Sequence, residues 1–403
     1  MIQNLSGWVG YLIFLIISTA VFALFSLGLN LQWGFTGLIN FGHVAFMTVG
    51  AYTTVLLTLH GVPLIIAALV GAGAAALLGL IIGLSTLRLR QDYLAIVTIG
   101  VSELLRLVVN NQDLPTGNGF TPGSFGVQGY PLPLVSFDPT LLTRLGMIAL
   151  LTLIVGVCYW RLWKWVGKAQ QGLQKSQALQ KLQKLQGLQG LQGQGNALPV
   201  RNFSSRLVLG ILAAGLILVL FLAGAIALYN YTSYANAGLM LISVLVLALV
   251  FWRLEVLVRS PWGRVLKAIR EDEDVATALG KNVFWYKLQA LMLGGAIAGV
   301  SGALLAWQLT TIYPDNFQPQ ITFDAWTMVI LGGAGNNVGT LLGAVIYWAY
   351  DAITRFALPA IFPLDEARLG AFRIMVIGLI LMLLMLWRPQ GILGKKKELT
   401  LGK

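Results

Sequence analysis

The sequence has a single cysteine and only two histidines among its 403 residues. Cys158 lies in an apolar run without a partner thiol, so an internal disulfide is excluded and a thiolate metal site is not expected. His43 and His60 do not supply the clustered histidine, cysteine and acidic side chains that a membrane enzyme would need for catalysis. We therefore predict that the chain is not an enzyme, with no catalytic residue and no metal site.

Charged residues are also scarce, at 10% of the chain. Soluble domains carry about 25% charged residues, so this chain cannot cover a water-facing surface in the usual way. Hydrophobic residues make up 57% of the sequence and its mean hydropathy is +0.78. Apolar runs of about 18 residues or more, each long enough to cross a bilayer as a helix, recur along it. Because these runs do not alternate, they favour helices over a membrane barrel.

Two sequence motifs are missing as well. No Gly-x-x-x-x-Gly-Lys-Ser/Thr phosphate loop occurs, so any ATP that drives this protein must be hydrolysed on another subunit. No lysine or arginine precedes Arg88, so the first apolar run, 8–29, lacks the basic leading region of a signal peptide. We expect that run to be retained as the first membrane helix.

The apolar runs predict an all-α, polytopic membrane bundle with nine to eleven transmembrane segments. Segment 321–334 is too short for a full crossing at about 1.5 Å per residue, so we predict a broken or re-entrant helix there. Segment 34–59 is interrupted by glycines and is a second candidate for a break. The predicted segments are 8–29, 34–59, 63–87, 92–110, 141–160, 206–228, 236–258, 287–311, 321–334, 338–356 and 371–388.

The formal net charge of +12 is concentrated in a few loops between the apolar runs. This is the positive-inside pattern of membrane proteins and not a nucleic-acid footprint. The basic stretches 161–206, 253–281 and 395–397 should be cytoplasmic, whereas the base-free loop 111–140 should lie outside. We therefore expect an external N-terminus, a cytoplasmic C-terminus and an odd number of crossings.

Residues 168–196 form a low-complexity stretch of leucine and glutamine with interspersed lysine and glycine. Leucine recurs every three residues from Leu179 to Leu191, but the glycines after Gly187 weaken any helix. We interpret the stretch as a cytoplasmic insertion. It is either an inert linker or a site for a partner.

The polar loop 260–286 separates two predicted membrane segments. Its pattern predicts one helix from about Gly263 to Leu279, with Gly280 at the C-terminal cap. An acidic run, 271–274, lies on the basic side of the membrane, where topology does not require acids. The loop is therefore either a solvated interfacial helix or a docking helix for a soluble partner.

Within this loop, Asp274-Val275-Ala276-x-x-x-Gly280 resembles the Glu-Ala-Ala-x-x-x-Gly coupling motif of ABC importer permeases, with two conservative departures. The wider sequence resembles the branched-chain amino acid ABC permease family, specifically the longer of its two paired permeases. The stretches that carry this resemblance are LNLQWGFTGLINFGHVAFMTVGAYT (29–53), LRLRQDYLAIVTIGVSELLRLVVNN (87–111), SPWGRVLKAIREDEDVATALG (260–280), WTMVILGGAGNNVGTLLGA (326–344) and WRPQGIL (387–393). The insertion 168–196 departs from the family, in which this connection is short.

The resemblance implies one transmembrane permease domain over 1–403 in the plasma (inner) membrane, with 260–286 as its cytoplasmic coupling loop. The implied partners are a second related permease, two ATPase subunits that bind ATP-Mg, an external binding protein and the lipid bilayer, with no nucleic acid and no cofactor on this chain. The implied cargo is a branched-chain or other neutral amino acid, although relatives handle urea and short amides. The residues expected to couple to the ATPases are Arg264, Arg270, Glu271, Asp272, Glu273, Asp274, Ala276 and Gly280.

Polar residues inside the predicted segments are candidates for the translocation path. Asn40 and His43 lie among glycines, where the backbone either unwinds to line a path or packs closely against a neighbouring helix. Glu103 and Arg106 can pair on one helix face, in a functional or a structural role. The glycine-rich turn that contains Asn336 and Asn337 is either a flexible gate or a packing element.

Two further expectations concern the outer face. Asp324 opens the short segment 321–334, where an acid would cap a helix N-terminus. The loop 115–131 is rich in glycine and proline, so it should contain turns and no α-helix, and it is a possible contact for a binding protein. The alternative function is a stand-alone secondary transporter. The predicted membrane segments contain no series of acidic residues that would suggest ion coupling, so the sequence does not support this alternative.

Overall fold

The three-dimensional structure is a computed structural model of the chain. The predicted insertion 168–196 and most of the predicted segment 206–228 lie outside the residues that it describes. The described residues are 2–88, 91–116, 119–134, 144–153, 155–157, 159–160, 163–164, 214–215, 218, 221–222, 224–226, 237–361 and 365–394.

The fold is helical, as the apolar runs predict, with a few short strands. The helices are α1 Ile2–Leu29, α2 Val44–Leu59, α3 Leu64–Thr86, α4 Gln91–Asn111, α5 Ala237–Arg259, α6 Pro261–Glu271, α7 Glu273–Ala278, α8 Val283–Leu309, α9 Gln320–Gly332, α10 Asn337–Ile361 and α11 Glu366–Trp387. The strands are β1 Asp113–Thr116, β2 Gly119–Pro122, β3 Val127–Gln128 and β4 Thr311–Ile312.

The chain divides into two compact units. One unit comprises Met1–Gly10 and Ser136–Tyr234, and its described residues include helical stretches at 144–153 and 155–157. The other unit comprises Tyr11–Val135 and Ala235–Lys403 and contains helices α2 to α11 together with most of α1.

Within the described residues, seven helices are long and apolar enough to cross a membrane. Two shorter apolar helices, Val44–Leu59 and Arg144–Val157, accompany them. The predicted polytopic helical membrane fold is therefore confirmed. The seven helical stretches are Gly10–Gly34, Leu64–Thr86, Tyr93–Asn111, Ala237–Arg259, Val283–Leu309, Asn337–Pro359 and Ala367–Trp387.

The predicted start of the second segment at residue 34 is wrong. Helix α1 continues into a π-helical turn, Asn30–Gly34, in which the Phe35 amide donates to the Asn30 carbonyl at 3.1 Å. Residues 35–43, the broken stretch, are not helical, and α2 begins only at Val44. Gly37 has a φ of +79° there, a conformation that side chains other than glycine disfavour.

Helix α8 lies against both α2 and α3 and forms the centre of the larger unit. The helices approach closely because glycines face each other: a Cβ atom on Gly50 would lie 2.6 Å from the carbonyl carbon of Gly299. Small residues at such contacts let membrane helices pack by van der Waals interactions of their backbones. The side chains of Leu24, Phe25, Phe46 and Met47 are fully buried in the same region.

The loop after α4 contains no α-helix within its described residues, as predicted. It instead forms an antiparallel hairpin of β1 and β2, followed by β3, which pairs with β4. The Tyr130 hydroxyl donates to the Ala306 carbonyl at 2.5 Å and ties this loop to α8. The sequence prediction missed these strands because each is only two to four residues long.

The single helix predicted over 263–279 is wrong, because the chain forms two helices, α6 and α7. Asp272 separates them with an extended backbone (φ −156°, ψ 112°), and its carboxylate accepts a hydrogen bond from the Val275 amide at 3.0 Å as the N-cap of α7. Gly280 follows α7 with a φ of +75°, which confirms its predicted role at the helix end.

Helices α9 and α10 are separated by residues 333–336, the glycine turn, which confirms the predicted break near residue 334. Gly333 and Gly335 both have positive φ angles in this turn. The capping role predicted for Asp324 is wrong, because α9 begins at Gln320 and no side chain caps it. Asp324 lies within the second turn of α9, and its carboxylate accepts a hydrogen bond from the side-chain nitrogen of Gln320 at 3.3 Å.

Candidate functional site

The coupling loop, residues 260–286, is folded around a small apolar core of its own. Ile269 on α6, Ala276 on α7 and Val283 at the start of α8 are buried together, and Val265 and Tyr286 pack against them. Ala276, one of the residues expected to couple to the ATPases, therefore packs inside the loop and holds α7 against α6. The two helices of the loop share this core and therefore pack together as one small unit.

The predicted acidic residues of the loop separate into two groups. Glu271, Asp272 and Asp274 are exposed, whereas Glu273 pairs with Lys287 on α8. The Lys287 side chain is only 8% exposed, so Glu273 compensates a nearly buried cation. This pair fixes the N-terminus of α7 to the first turns of α8. Arg264 is exposed on α6 and Gly280 is exposed after α7.

Apolar side chains that the sequence prediction missed lie beside the exposed acids. Val275, Leu279 and Trp285 are all more than half exposed. Their positions next to the acidic run are visible in the sequence, but only the two-helix geometry shows that they face solvent. The loop thus presents a mixed acidic and apolar surface.

Helix α6 is fixed closely against α5 and α8. A Cβ atom on Gly263 would lie 2.5 Å from the Val258 carbonyl carbon, so glycine permits this approach. The indole nitrogen of Trp262 donates to the Gln289 side chain of α8 at 2.7 Å. A displacement of α6 would therefore change its contacts with both α5 and α8.

Arg270, at the end of α6, contacts the broken membrane elements, and Lys267 of the same helix has its ammonium 5.6 Å from the ring centroid of Phe35 in the broken stretch. Its guanidinium donates to the Gly34 carbonyl of the π-helical turn. The same nitrogen lies 2.6 Å from the position of a Cβ atom on Gly335, in the glycine turn. Its Cγ lies 3.6 Å from the corresponding position on Gly37. Arg270 thus touches both breaks in the membrane helices.

Asn30 joins the π-helical turn to the glycine turn from the inside. Its side-chain oxygen accepts from the Gly335 amide at 2.9 Å, and its nitrogen donates to the Asn337 side chain at 3.2 Å. Asn337 in turn donates to Glu255 of α5 at 3.2 Å. Asn30 is fully buried, and the sequence prediction missed both it and Glu255. Nothing in the neighbouring sequence indicates these long-range contacts.

Asn336 is a capping residue of α10. Its side-chain oxygen accepts from the amides of Val338 at 3.0 Å and Gly339 at 3.3 Å, which satisfies free donors at the start of the helix. Its side-chain nitrogen donates to the Leu393 carbonyl at 2.8 Å. Asn336 therefore ties the glycine turn to the segment that follows α11.

The broken stretch 35–43 is satisfied by hydrogen bonds from distant parts of the chain. Asn40 donates to the Gln32 side chain at 2.8 Å, and its carbonyl accepts from the Trp326 indole at 3.1 Å. The Val44 amide, the first of α2, donates to the Thr322 hydroxyl of α9 at 3.0 Å. Irregular backbone at membrane depth requires such partners, because no lipid group can replace them.

His43 ends the broken stretch and is completely buried. Its Nε2 lies 3.2 Å from the Phe25 carbonyl, and its ring packs between Phe25 and Phe46. Its Nδ1 has no hydrogen-bond partner among the described residues.

Glu103 and Arg106 form the predicted ion pair on α4, with their closest atoms 2.6 Å apart. Arg106 also contacts Asp315, in the turn before α9, at 2.6 Å. This cluster bonds α4 to the loop between α8 and α9 and contains none of the other candidate path residues. The candidates for the path therefore lie in three places: Asn40 and His43 in the broken stretch before α2, Asn336 and Asn337 at the glycine turn, and Glu103 with Arg106 on α4.

No group of three or more metal-binding side chains occurs within the part of the chain that the structure describes. The fold and the site instead define a class. The chain is a multi-pass helical membrane protein. Among the described residues its membrane helices are broken at two places, and a folded polar loop is fixed to both breaks, as in a transport permease.

The family comparison makes this class specific. The family model of the branched-chain amino acid transport system, permease component, matches residues 11–168 and 201–386, and the chain belongs to this family. The match is interrupted between those ranges, where the leucine–glutamine stretch lies. The predicted family is therefore confirmed.

Similar curated proteins are also permeases of branched-chain amino acid transport systems. The chain is 26% identical over 376 residues to the high-affinity branched-chain amino acid transport system permease protein LivM of Escherichia coli K12, covering 93% of this chain and 68% of the relative. LivH of the same organism is 29% identical over 140 residues, covering 34% of this chain and 41% of that relative. A probable LivM of Methanocaldococcus jannaschii is 30% identical over 160 residues, covering 38% and 45% of the two chains. No solved structure gave a significant match.

Proposed function

We propose that this chain is the membrane-spanning permease subunit of an ATP-driven importer for branched-chain or other neutral amino acids. Family membership and the names of the relatives support the class of substrate. The observation that carries the mechanism is the contact of Arg270 with both breaks in the membrane helices, which links a cytoplasmic loop to the elements that would open and close.

The proposed partners on the cytoplasmic side are two ATPase subunits that bind ATP-Mg. The chain has no phosphate loop, so hydrolysis takes place on these subunits. The exposed acids Glu271 and Asp274, with Val275 and Leu279 beside them, form the docking surface. Such a surface suits a partner that presents cations around an apolar groove.

In the proposed transport cycle, the coupling loop transmits movement of the ATPases to the membrane helices. Closure of the ATPases moves α6 and α7 together, since they share one core. Arg270 passes the movement to the π-helical turn and to the glycine turn, and the Glu273–Lys287 pair passes it to α8. The two breaks are the points where the helices change direction between inward-facing and outward-facing states.

The remaining partners are a second, related permease and an external binding protein. E. coli K12 has both LivM and LivH, and this chain is similar to each, which supports a paired assembly. The strands β1 to β4 lie on the proposed external side and are the expected contact for the binding protein. We propose that the coupling loop lies in the cytoplasm, which the basic loops support, and that the protein lies in the plasma (inner) membrane, as the family membership suggests.

Two other functions fit fewer observations. A permease for urea or short amides would share this fold and family, and a transport assay with both classes of cargo distinguishes it. A stand-alone secondary transporter would take up substrate without ATP, and uptake by the purified chain alone in proteoliposomes would favour it.

Co-purification tests the proposal. The chain is expressed with the ATPase subunits of its importer. The variant Glu271→Lys plus Asp274→Lys is compared with the control Asp113→Lys plus Asp365→Lys, which reverses two exposed acids outside the loop. The ATPases should co-purify with the wild-type chain and the control and be lost from the loop variant. If no ATPase associates with the wild-type chain, the importer assignment fails.

A further inference from the structure

Helices α5 and α8 enclose an apolar groove with a volume of about 430 Å³. Leu249, Val250 and Leu257 of α5 and Leu293 and Ile297 of α8 line it. Arg253 is the one charged residue of this lining, and Ser260 lies at the end that adjoins the coupling loop. An aliphatic groove between two membrane-crossing helices has the chemistry of a site for an acyl chain.

Arg253 lies near the end of α5 that adjoins the coupling loop, a position that we assign to the membrane interface. It lies six positions before the end of α5 at Arg259, about 9 Å along the helix at 1.5 Å per residue. Trp252, its neighbour, is more than half exposed. Exposed tryptophans mark the level of the lipid headgroups in membrane proteins. The guanidinium of Arg253 can therefore reach the phosphate level while the groove below it lies among the acyl chains.

Arg253 carries a charge that no described residue neutralises. Arg259, one and a half turns further, pairs with Glu255 at 2.5 Å. The Arg253 guanidinium instead lies 5.0 Å from the ring centroid of Trp252 and forms no ion pair within the described ranges. Its exposed donors are left for an anion that comes from outside this set of residues.

We propose that this groove binds one anionic phospholipid, with an acyl chain along α5 and α8 and its phosphate on Arg253. An anionic headgroup is selected because a zwitterionic lipid brings its own cation close to the guanidinium. The proposed cytoplasmic side is also the leaflet in which anionic lipids generally attract basic residues. A covering helix of another protein would have to present a carboxylate or phosphate at the same depth.

Native mass spectrometry of the full-length chain tests this proposal. Phosphatidylglycerol and phosphatidylcholine with identical acyl chains are titrated onto wild-type protein, Arg253→Gln and the control Arg88→Gln. Arg88 is a matched control because it is an exposed arginine that also lies over an aromatic ring, that of Phe284, outside the groove. Wild type and control should bind one phosphatidylglycerol about five-fold more tightly than Arg253→Gln does, with no such difference for phosphatidylcholine.

A second variant separates the groove from the charge. Leu293→Trp fills the groove but keeps Arg253, and it should lose the same bound lipid. Arg253→Lys should restore part of the preference for phosphatidylglycerol. Equal binding of the two lipids to wild type, or unchanged binding to Arg253→Gln, would overturn the proposal. Loss of the lipid on co-expression with a paired permease would also overturn it and assign the groove to a protein interface.

Discussion

Arg270 at the end of α6 donates a hydrogen bond to the carbonyl of Gly34, the last residue of the π-helical turn that ends the first membrane helix. The two residues are far apart in the sequence and belong to the polar coupling loop and to a membrane helix. A charged donor on a backbone carbonyl is among the stronger hydrogen bonds of proteins. The contact therefore connects the coupling loop directly to the break at the end of the first membrane helix.

Arg270→Gln should uncouple ATP hydrolysis from transport without preventing assembly. Glutamine is shorter and uncharged, so it cannot reach both the Gly34 carbonyl and the glycine turn. Loss of a charged hydrogen bond of about 1.5–3 kcal/mol should lower substrate uptake about ten-fold or more, whereas the ATPase subunits remain bound. Uptake and ATP hydrolysis by the reconstituted complex, measured together, check this prediction.

Lys281→Gln is the control for the Arg270 experiment. Lys281 is an exposed cation in the turn after α7, so its replacement removes the same charge from the loop without touching either break. Uptake should stay within about two-fold of wild type, since isolated surface charges contribute little. Normal uptake by Arg270→Gln would contradict the proposed route through Gly34.

Glu273→Gln should destabilise the protein, because it removes the carboxylate that pairs with Lys287. Lys287 is nearly buried, and without Glu273 its charge is left with no compensating carboxylate. Because Glu273 itself is about half exposed, the expected loss is about 1–3 kcal/mol, less than for a fully buried pair. Thermal unfolding in detergent measures the loss, and adding Lys287→Met should restore most of the stability. A double variant no more stable than Glu273→Gln would show that the pair is not responsible.

Much of the helical fold could be predicted from the sequence, because long apolar runs leave little choice in a membrane. The predicted segment 63–87 agrees with α3 to within one residue at each end. The start of α2 could not be predicted, since residues 35–43 are held out of a helix by partners such as Thr322, which are distant in sequence. The glycines of this stretch make it a candidate for a break, but they do not indicate the residue at which α2 begins.

In the coupling loop, one feature could have been predicted from the local sequence and another could not. The break at Asp272 has a local signal, an aspartate followed by acids in the first turn of a helix, which is typical of an N-cap. The sequence prediction treated the acids only as a surface. By contrast, the role of Arg270 depends on Gly34 and Gly335, and no local pattern indicates which arginine of a basic loop faces the membrane breaks.

Asn30→Leu should loosen the junction between the two breaks. The substitution keeps the branched shape of the side chain but leaves the Gly335 amide without its acceptor and removes the bond to Asn337 in a fully buried position. Unsatisfied buried groups of this kind cost about 1–3 kcal/mol each. Thermal unfolding should detect the loss, and hydrogen exchange should rise at the glycine turn. Unchanged exchange there would mean that Asn30 does not hold the turn.

Gly50→Ala and Gly73→Ala should have opposite consequences, although both add one methyl group to an apolar helix. The new Cβ at Gly50 would lie 2.6 Å from the Gly299 carbonyl carbon, so α2 and α8 must move apart, at a cost of about 1–3 kcal/mol. At Gly73 on α3 nothing lies within 4 Å, and alanine should stabilise the helix by up to about 1 kcal/mol. Thermal unfolding in the same detergent tests this prediction: the midpoint of Gly50→Ala should lie below that of wild type, and the midpoint of Gly73→Ala should lie at or above it. Equal midpoints would mean that the helices do not meet at Gly50, because only a backbone contact there makes one methyl group harmful and the other harmless.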